Sequence, residues 1–205
     1  AYSIAPGYGA ELGASLVADF TGVATDDWDW EQIDGIMADH EVNLMLVNLH
    51  EVDRMGHAGS WAGYTDKALR ASEDIVAFWE FLQAHPTYAD DTLLIVATDH
   101  GRHLEGVQNG WKDHGDQCRG CRQTFLLALG PGVEQHLVLG STASILDLAP
   151  TVAHLMGLEL PFARGRVLDE ILVDAGPADR GVGGDHGPVM AGAGGGLAAA
   201  GFILS

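Results

Sequence analysis

The chain has 205 residues, with 29 Asp and Glu against 10 Lys and Arg, for a formal net charge of −19. Hydrophobic residues make up 47% of it, enough to build a core, so a disordered acidic chain is excluded and one α/β-sized globular domain is expected. The longest buried-looking run, Asn43 to Leu49, is far below the ~20 residues of a membrane-spanning helix. Charge of this sign repels a polyphosphate backbone and excludes a nucleic-acid polymer as a non-specific partner, so any anionic substrate must be attracted locally. An acidic chain whose only lysines are Lys67 and Lys112 also reads as the solvated surface of a salt-tolerant protein.

Residues 1–29 are rich in Gly, Ala and Asp, carry the turn signal Pro6-Gly7-Tyr8-Gly9, and read as a loop-rich entry. They open at Ala1, without Met and without the basic-then-apolar pattern of a secretory signal, so the chain reads as a processed product or a fragment. Trp30 to His40 reads as a short helix, Asn43 to Leu49 as a strand buried on both faces, and His50 to Ser60 as a loop. From Tyr64 to Leu82 the residues Tyr64, Ala68, Ala71, Ile75, Trp79 and Leu82 recur at helical spacing, predicting an amphipathic helix packed on a sheet. Thr92 to Thr98 is a second buried strand and Thr124 to Leu129 a third; Ser144 to Met156 is a helix with Pro150 near its first turn. Such alternation implies an α/β fold, a mostly parallel sheet with helices on both faces. The main unit spans 30–174, and 175–205 is a Gly/Ala-rich flexible tail without a strand signal, its weakly apolar end at Gly192 to Leu204 being less well explained as a sorting segment.

The chemistry sits in three loops. After the first main strand comes His50-Glu51-Val52-Asp53-Arg54-Met55-Gly56-His57, in which Asp53 and His57 can aim at one cation; mixed oxygen and nitrogen donors suit zinc, manganese or iron better than calcium. The second strand ends in Thr98-Asp99-His100-Gly101, an abrupt change from apolar to metal-ligating side chains. In open parallel sheets ligands bind beyond the carboxyl ends of strands, and both Asp/His pairs fall at that edge. Asp113-His114-Gly115 follows, and His114 completes a three-ligand set with Asp53 and His57, leaving a position open as catalytic metal sites do. Asp99 and His100 then belong to a neighbouring ion. His40, His85, His136, His154 and His186 read as ordinary surface or core histidines, and His50 and His103, although inside the same loops, as turn residues.

Cys118 and Cys121 form one C-x-x-C, too few for a disulfide framework. Three readings stay open: a local disulfide or thiol pair pinning the loop, free thiols, or a zinc site from His114, Cys118 and Cys121 with His103 as a fourth ligand. Trp111 and Asn109 lie just before His114, where a substrate's leaving group would sit and an exposed indole can stack on an aryl group or base.

A buried strand followed by D-x-x-G-H, a helix, a strand ending in T-D-H-G and a further H-G resembles the C-terminal half of the alkaline phosphatase superfamily, nearest its type I phosphodiesterase/nucleotide pyrophosphatase branch. Asp147-Leu148-Ala149-Pro150-Thr151, Leu155-Met156-Gly157 and Pro161 to Leu168 are similar to that superfamily's closing helix and strand, so the likeness covers about residues 30–172. It implies an alkaline phosphatase-like fold truncated at its N-terminus and two divalent ions, zinc or manganese: one on Asp53, His57 and His114, the second on Asp99 and His100. It also implies a further metal-binding Asp and a Thr or Ser nucleophile upstream. Neither is matched here, and Thr21 and Thr25, in a Gly/Asp-rich loop, are not assigned that role. The implied activity is hydrolysis of a small phosphoric ester, diester before monoester, with the nucleophile-bearing half on a lost, cleaved or unsequenced N-terminal segment. The alternatives are a phosphosugar or phosphoglycerate mutase of the same superfamily and an inactive metal-binding fragment. The family also implies an extracellular or periplasmic location, with the cytoplasm as the alternative.

Overall fold

The computed structural model describes residues 42–173 continuously, together with Tyr2–Ile4, Ala18–Asp19, Ile33, 35–37 and Ala198–Leu204. Six strands, β1 (Tyr2–Ile4), β2 (Ala18–Asp19), β3 (Leu44–Leu49), β4 (Thr92–Thr98), β5 (Leu126–Leu129) and β6 (Ala198–Leu204), form one sheet in the order β2-β1-β3-β6-β4-β5. The helices are α1 (Glu51–His57), α2 (Trp61–Ala84) and α3 (Leu148–Leu155), and residues 33 and 35–37 are also helical. The fold is α/β.

Neighbouring strands run parallel except β4 and β5. The 99–125 connection holds only the 3₁₀ turn Gly110–Lys112, and a chain without a crossover helix returns antiparallel. β6 lies between β3 and β4, with both Leu49 and Thr98 in register with Leu204. The two main strands therefore end level at one edge, about 10 Å apart across the intervening strand.

Two core clusters cover the two faces. On one, Met45, Val47 and Leu49 of β3 and Leu94 and Val96 of β4 meet Ala71, Ile75, Phe78 and Leu82 of α2. On the other, Leu93 and Ile95 pack with Leu148, Val152 and Leu155 of α3 and with Leu168 and Ile171. Thr151, fully buried, donates to the Asp147 carbonyl at 2.6 Å and accepts from the Leu168 N–H at 3.0 Å, which ties α3 to the segment after it.

Several expectations are corrected. The His50 to Ser60 loop is largely helix α1; Glu51 and Asp53 suit its first turn and Arg54 and His57 its last, and Gly56 is buried in the last turn. β3 is buried on one face rather than both, with Leu46 38% exposed, because the α3 cluster covers β4 and β5 and stops short of β3. The Ser144 to Met156 helix is a 3₁₀ turn, Ile145–Asp147, followed by α3. The expectation of a tail without a strand fails for 198–204, because the small, apolar Ala198-Ala199-Ala200-Gly201 backbone pairs with strands on both sides; residues 174–197 lie outside the described set. Short strands β1 and β2 likewise stand where a loop-rich entry is expected.

α1 is docked on α2 by a buried charge. Glu51, 2% exposed, meets Lys67 Nζ at 2.5 Å and Arg54 Nη2 at 2.7 Å. Burial alone pushes its carboxyl upward, but the bonds from Lys67 and Arg54 outweigh it and leave the group below its ordinary value of 4.5. A carboxyl held below its unfolded value stabilises the fold above that value and loses the contribution as pH falls through the lower, folded one. Glu51→Gln should therefore cost about 1–3 kcal/mol at neutral pH, and the difference from wild type should shrink below pH 4.5 in urea denaturation.

Candidate metal centre

Helix α1 begins two residues after β3, so its first turn carries Asp53 and its last turn His57 to the same edge at which β4 releases Asp99 and His100. The 99–121 loop folds back over that edge: the Gly101 N–H donates to the Cys121 carbonyl at 2.8 Å and the His103 N–H to the Asp113 carbonyl at 3.1 Å. Gly101 permits this approach, since a Cβ there would run into the Gly120 carbonyl. The fold-back delivers His114 to Asp53 and His57.

Three contacts define the centre. His57 Nε2 lies 3.3 Å from Asp53 Oδ2, His114 Nε2 lies 3.2 Å from Asp53 Oδ1, and the two imidazole Nε2 atoms are 3.0 Å apart. Ligands bound at 2.0–2.1 Å to a tetrahedral zinc stand about 3.3 Å from one another, so the spacing of these atoms fits a common cation. His100 joins them: Asp53, His100 and His114 offer ligand atoms all within 4.8 Å of one another, and the His100 and His114 rings stack with centroids 3.6 Å apart. His100 Nδ1 is 3.0 Å from the Gly101 carbonyl, a bond that places the ring proton on Nδ1 and leaves Nε2 as the lone-pair donor. His57 Nδ1 faces Asp113 Oδ1 at 3.8 Å, a second carboxylate behind a ligating ring.

Asp99 is placed differently from the others. Its Oδ1 accepts the His100 N–H at 2.8 Å and lies 3.6 Å from His100 Nε2, but it is not among the clustered ligand atoms, whereas His100 is. The His57 side chain is 44% exposed and the Asp53, His100 and His114 side chains are about a quarter exposed or less, so the centre opens to solvent on the His57 side.

Arg102 is the residue that motif reading missed. Its guanidinium pairs with the Asp53 carboxylate and also donates to the Asp53 carbonyl at 2.9 Å and the Trp111 carbonyl at 3.3 Å. It lies 5.3 Å above the Tyr64 ring. The available signal is the glycine of D-x-x-G-H, because a Cβ on Gly56 would run into the guanidinium. Beside it Trp61, Tyr64 and Trp111 form an aromatic cluster, with Trp61 edge-on to Trp111 at 5.0 Å and near-parallel to Tyr64 at 5.6 Å. A separate cavity of about 840 Å³, lined by residues such as Trp79, Leu127 and Val138, includes none of the predicted ligands.

Burial, followed by the nearby His100, His57 and Arg102, holds His114 below the ordinary histidine value of 6.5, against the opposing pull of Asp53. Neutral imidazole is the form that binds metal. Asp113 is lowered as well, chiefly by the His114 backbone N–H and by Asn109.

No family model, curated protein or solved structure matches this chain.

Gly56→Ala should lower stability by about 1–3 kcal/mol through collision with Arg102, and Arg102→Ala in that background should give a clearly non-additive double-mutant cycle in denaturant titrations. In the metal-free protein His114 should titrate below 6.5 by NMR, lower still in Asp53→Asn and higher in His100→Gln. Because the folded state binds that proton more weakly than the unfolded chain, this histidine erodes stability as pH falls through 6.5.

Proposed function

We propose that this chain carries the metal-binding half of a phosphoric-ester hydrolase site of the alkaline phosphatase type, phosphodiesterase before monoesterase. The observation supporting this reading is the set of 3.0–3.3 Å separations among the donor atoms of Asp53, His57 and His114, one carboxylate and two imidazoles from helix α1 and a distant loop. The His100 ring stacks on His114, and Asp99 Oδ1 lies 3.6 Å from His100 Nε2; these are the two residues the reading assigns to a second ion. Bound zinc or manganese would supply positive charge to the non-bridging oxygens of the phosphoryl group and to the leaving oxygen.

The chain's own residues account for the rest of what the reading requires. Imidazole binds metal as a neutral donor, so His57 and His114 would offset none of a cation's charge and only the Asp53 carboxylate would. On a chain of net charge −19 that local charge is what would attract a small phosphorylated substrate. Arg102 orients Asp53 from behind, and Trp61, Tyr64 and Trp111 form an apolar wall suited to an aryl or base leaving group. The attacking hydroxyl is assigned to no residue of this chain; the reading places it on a segment ahead of the described strands, in a protein outside the cytoplasm.

Zinc or manganese should bind wild type and be lost from the centre in His57→Ala and Asp53→Asn, measured by isothermal titration and elemental analysis. Inorganic phosphate should bind the metal-loaded protein roughly tenfold or more tightly than the chelated one. Equal metal content in wild type and His57→Ala would overturn the reading. Phosphate transfer within one substrate, without net release, would favour the mutase branch.

A further inference from the structure

The 99–121 loop carries a second set of metal-ligating groups, separate from the centre just described. His103, Asp116, Cys118 and Cys121 offer ligand atoms all within 4.8 Å of one another. Cys118 Sγ and Cys121 Sγ are 3.3 Å apart, both thiols unbridged, and His103 Nε2 lies 3.5 Å from Asp116 Oδ1. A tetrahedral zinc with sulfur ligands at about 2.3 Å and nitrogen or oxygen ligands at about 2.0–2.1 Å separates its ligands by about 3.3–3.8 Å.

An independent observation points to a missing ligand. The His103 side chain is 1% exposed, faces this cluster, and has no hydrogen bond to either ring nitrogen. A buried imidazole with neither nitrogen satisfied is destabilising unless something else occupies a lone pair. Asp116 is held ready by its neighbours, its Oδ1 accepting the Cys118 N–H at 2.8 Å, and the Cys121 N–H points to Cys118 Sγ at 3.3 Å.

We infer that His103, Asp116, Cys118 and Cys121 bind one zinc ion as a closed structural site. With four protein ligands there is no open position, so the ion's role is to hold the loop rather than to act on substrate. The loop it holds is the one that returns His114 to Asp53, through the His103 to Asp113 backbone bond and the Gly101 to Cys121 bond. Two thiolates and a carboxylate outweigh the ion's charge by one, and Arg119 and Arg122 flank Cys121 in sequence.

The inference does not rest on the hydrolase reading, and the test separates the two. Reduced protein carrying Asp53→Asn and His57→Ala, which disables the first centre, is titrated with zinc and, in parallel, with cobalt(II). One tightly held zinc per chain is expected, together with a thiolate-to-cobalt charge-transfer band. Zinc should also protect both cysteines from iodoacetamide until a chelator removes it. Cys118→Ser should weaken zinc binding roughly a hundredfold or more, beyond what loss of an outer partner costs. To keep the test independent of how that variant folds, the alkylation readout is made without it, on chains with both cysteines intact. A Cys118–Cys121 disulfide that persists in freshly isolated protein, or thiols alkylated equally with and without zinc, would overturn the inference. Zinc bound by the double variant but absent from the first centre of wild type would sink the hydrolase reading and leave this one standing.

Discussion

The carboxylate of Asp53 is the point at which the two strand ends meet. Arg102, just beyond β4, bonds both the side chain and the main-chain carbonyl of Asp53 on α1, while His57 and His114 approach the same carboxylate from the other side. One acidic group is thus shared by a fixed cation and by two imidazoles that are neutral when they bind metal. Arg102 is only 10% exposed at its side chain, so its pairing with Asp53 is sheltered from water and from salt screening. The position of Asp53 is set by bonds within the chain itself.

That arrangement depends on two small residues and one strand. Gly56 leaves room for the guanidinium, and Gly101 lets the 99–121 loop lie against the backbone of residues 120 and 123. β6 holds β3 and β4 level with each other, so that both chains turn off the sheet at the same height. Glu51, paired with Lys67 and Arg54, fixes α1 against α2 and keeps the first turn of α1 from swinging away. Burying an ion pair of this kind contributes more to a single defined geometry than to net stability, since desolvation offsets much of its attraction.

Charge gives the two clusters different chemistry. The Asp53, His100 and His114 group, with His57 beside Asp53 and His114, has one carboxylate and partly exposed rings, which suits an ion that keeps an exchangeable position. The His103, Asp116, Cys118 and Cys121 group has two soft sulfur donors and a buried ring, which suits an ion that stays. The second group sits on the loop that also carries His100 and His114, so its order bears directly on where His114 stands in the first.

The apolar runs and helical periodicity were sufficient to place β4, α2 and the register of chemistry at strand ends, because burial of a 7-residue apolar strand and of a helical stripe leaves a local imprint in the chain. Asp53, His57, His100 and His114 stand out in the sequence as polar groups following apolar strands, and the structure brings them together at one edge of the sheet. What local pattern could not supply was partnership. Arg102 looks like any loop arginine until Gly56 opens a space for it, His103 looks like a turn residue until the fold buries it, and 198–204 looks like a tail until two strands flank it. Those outcomes depend on contacts between segments far apart in the chain, whose energies enter only when the sheet has brought them together.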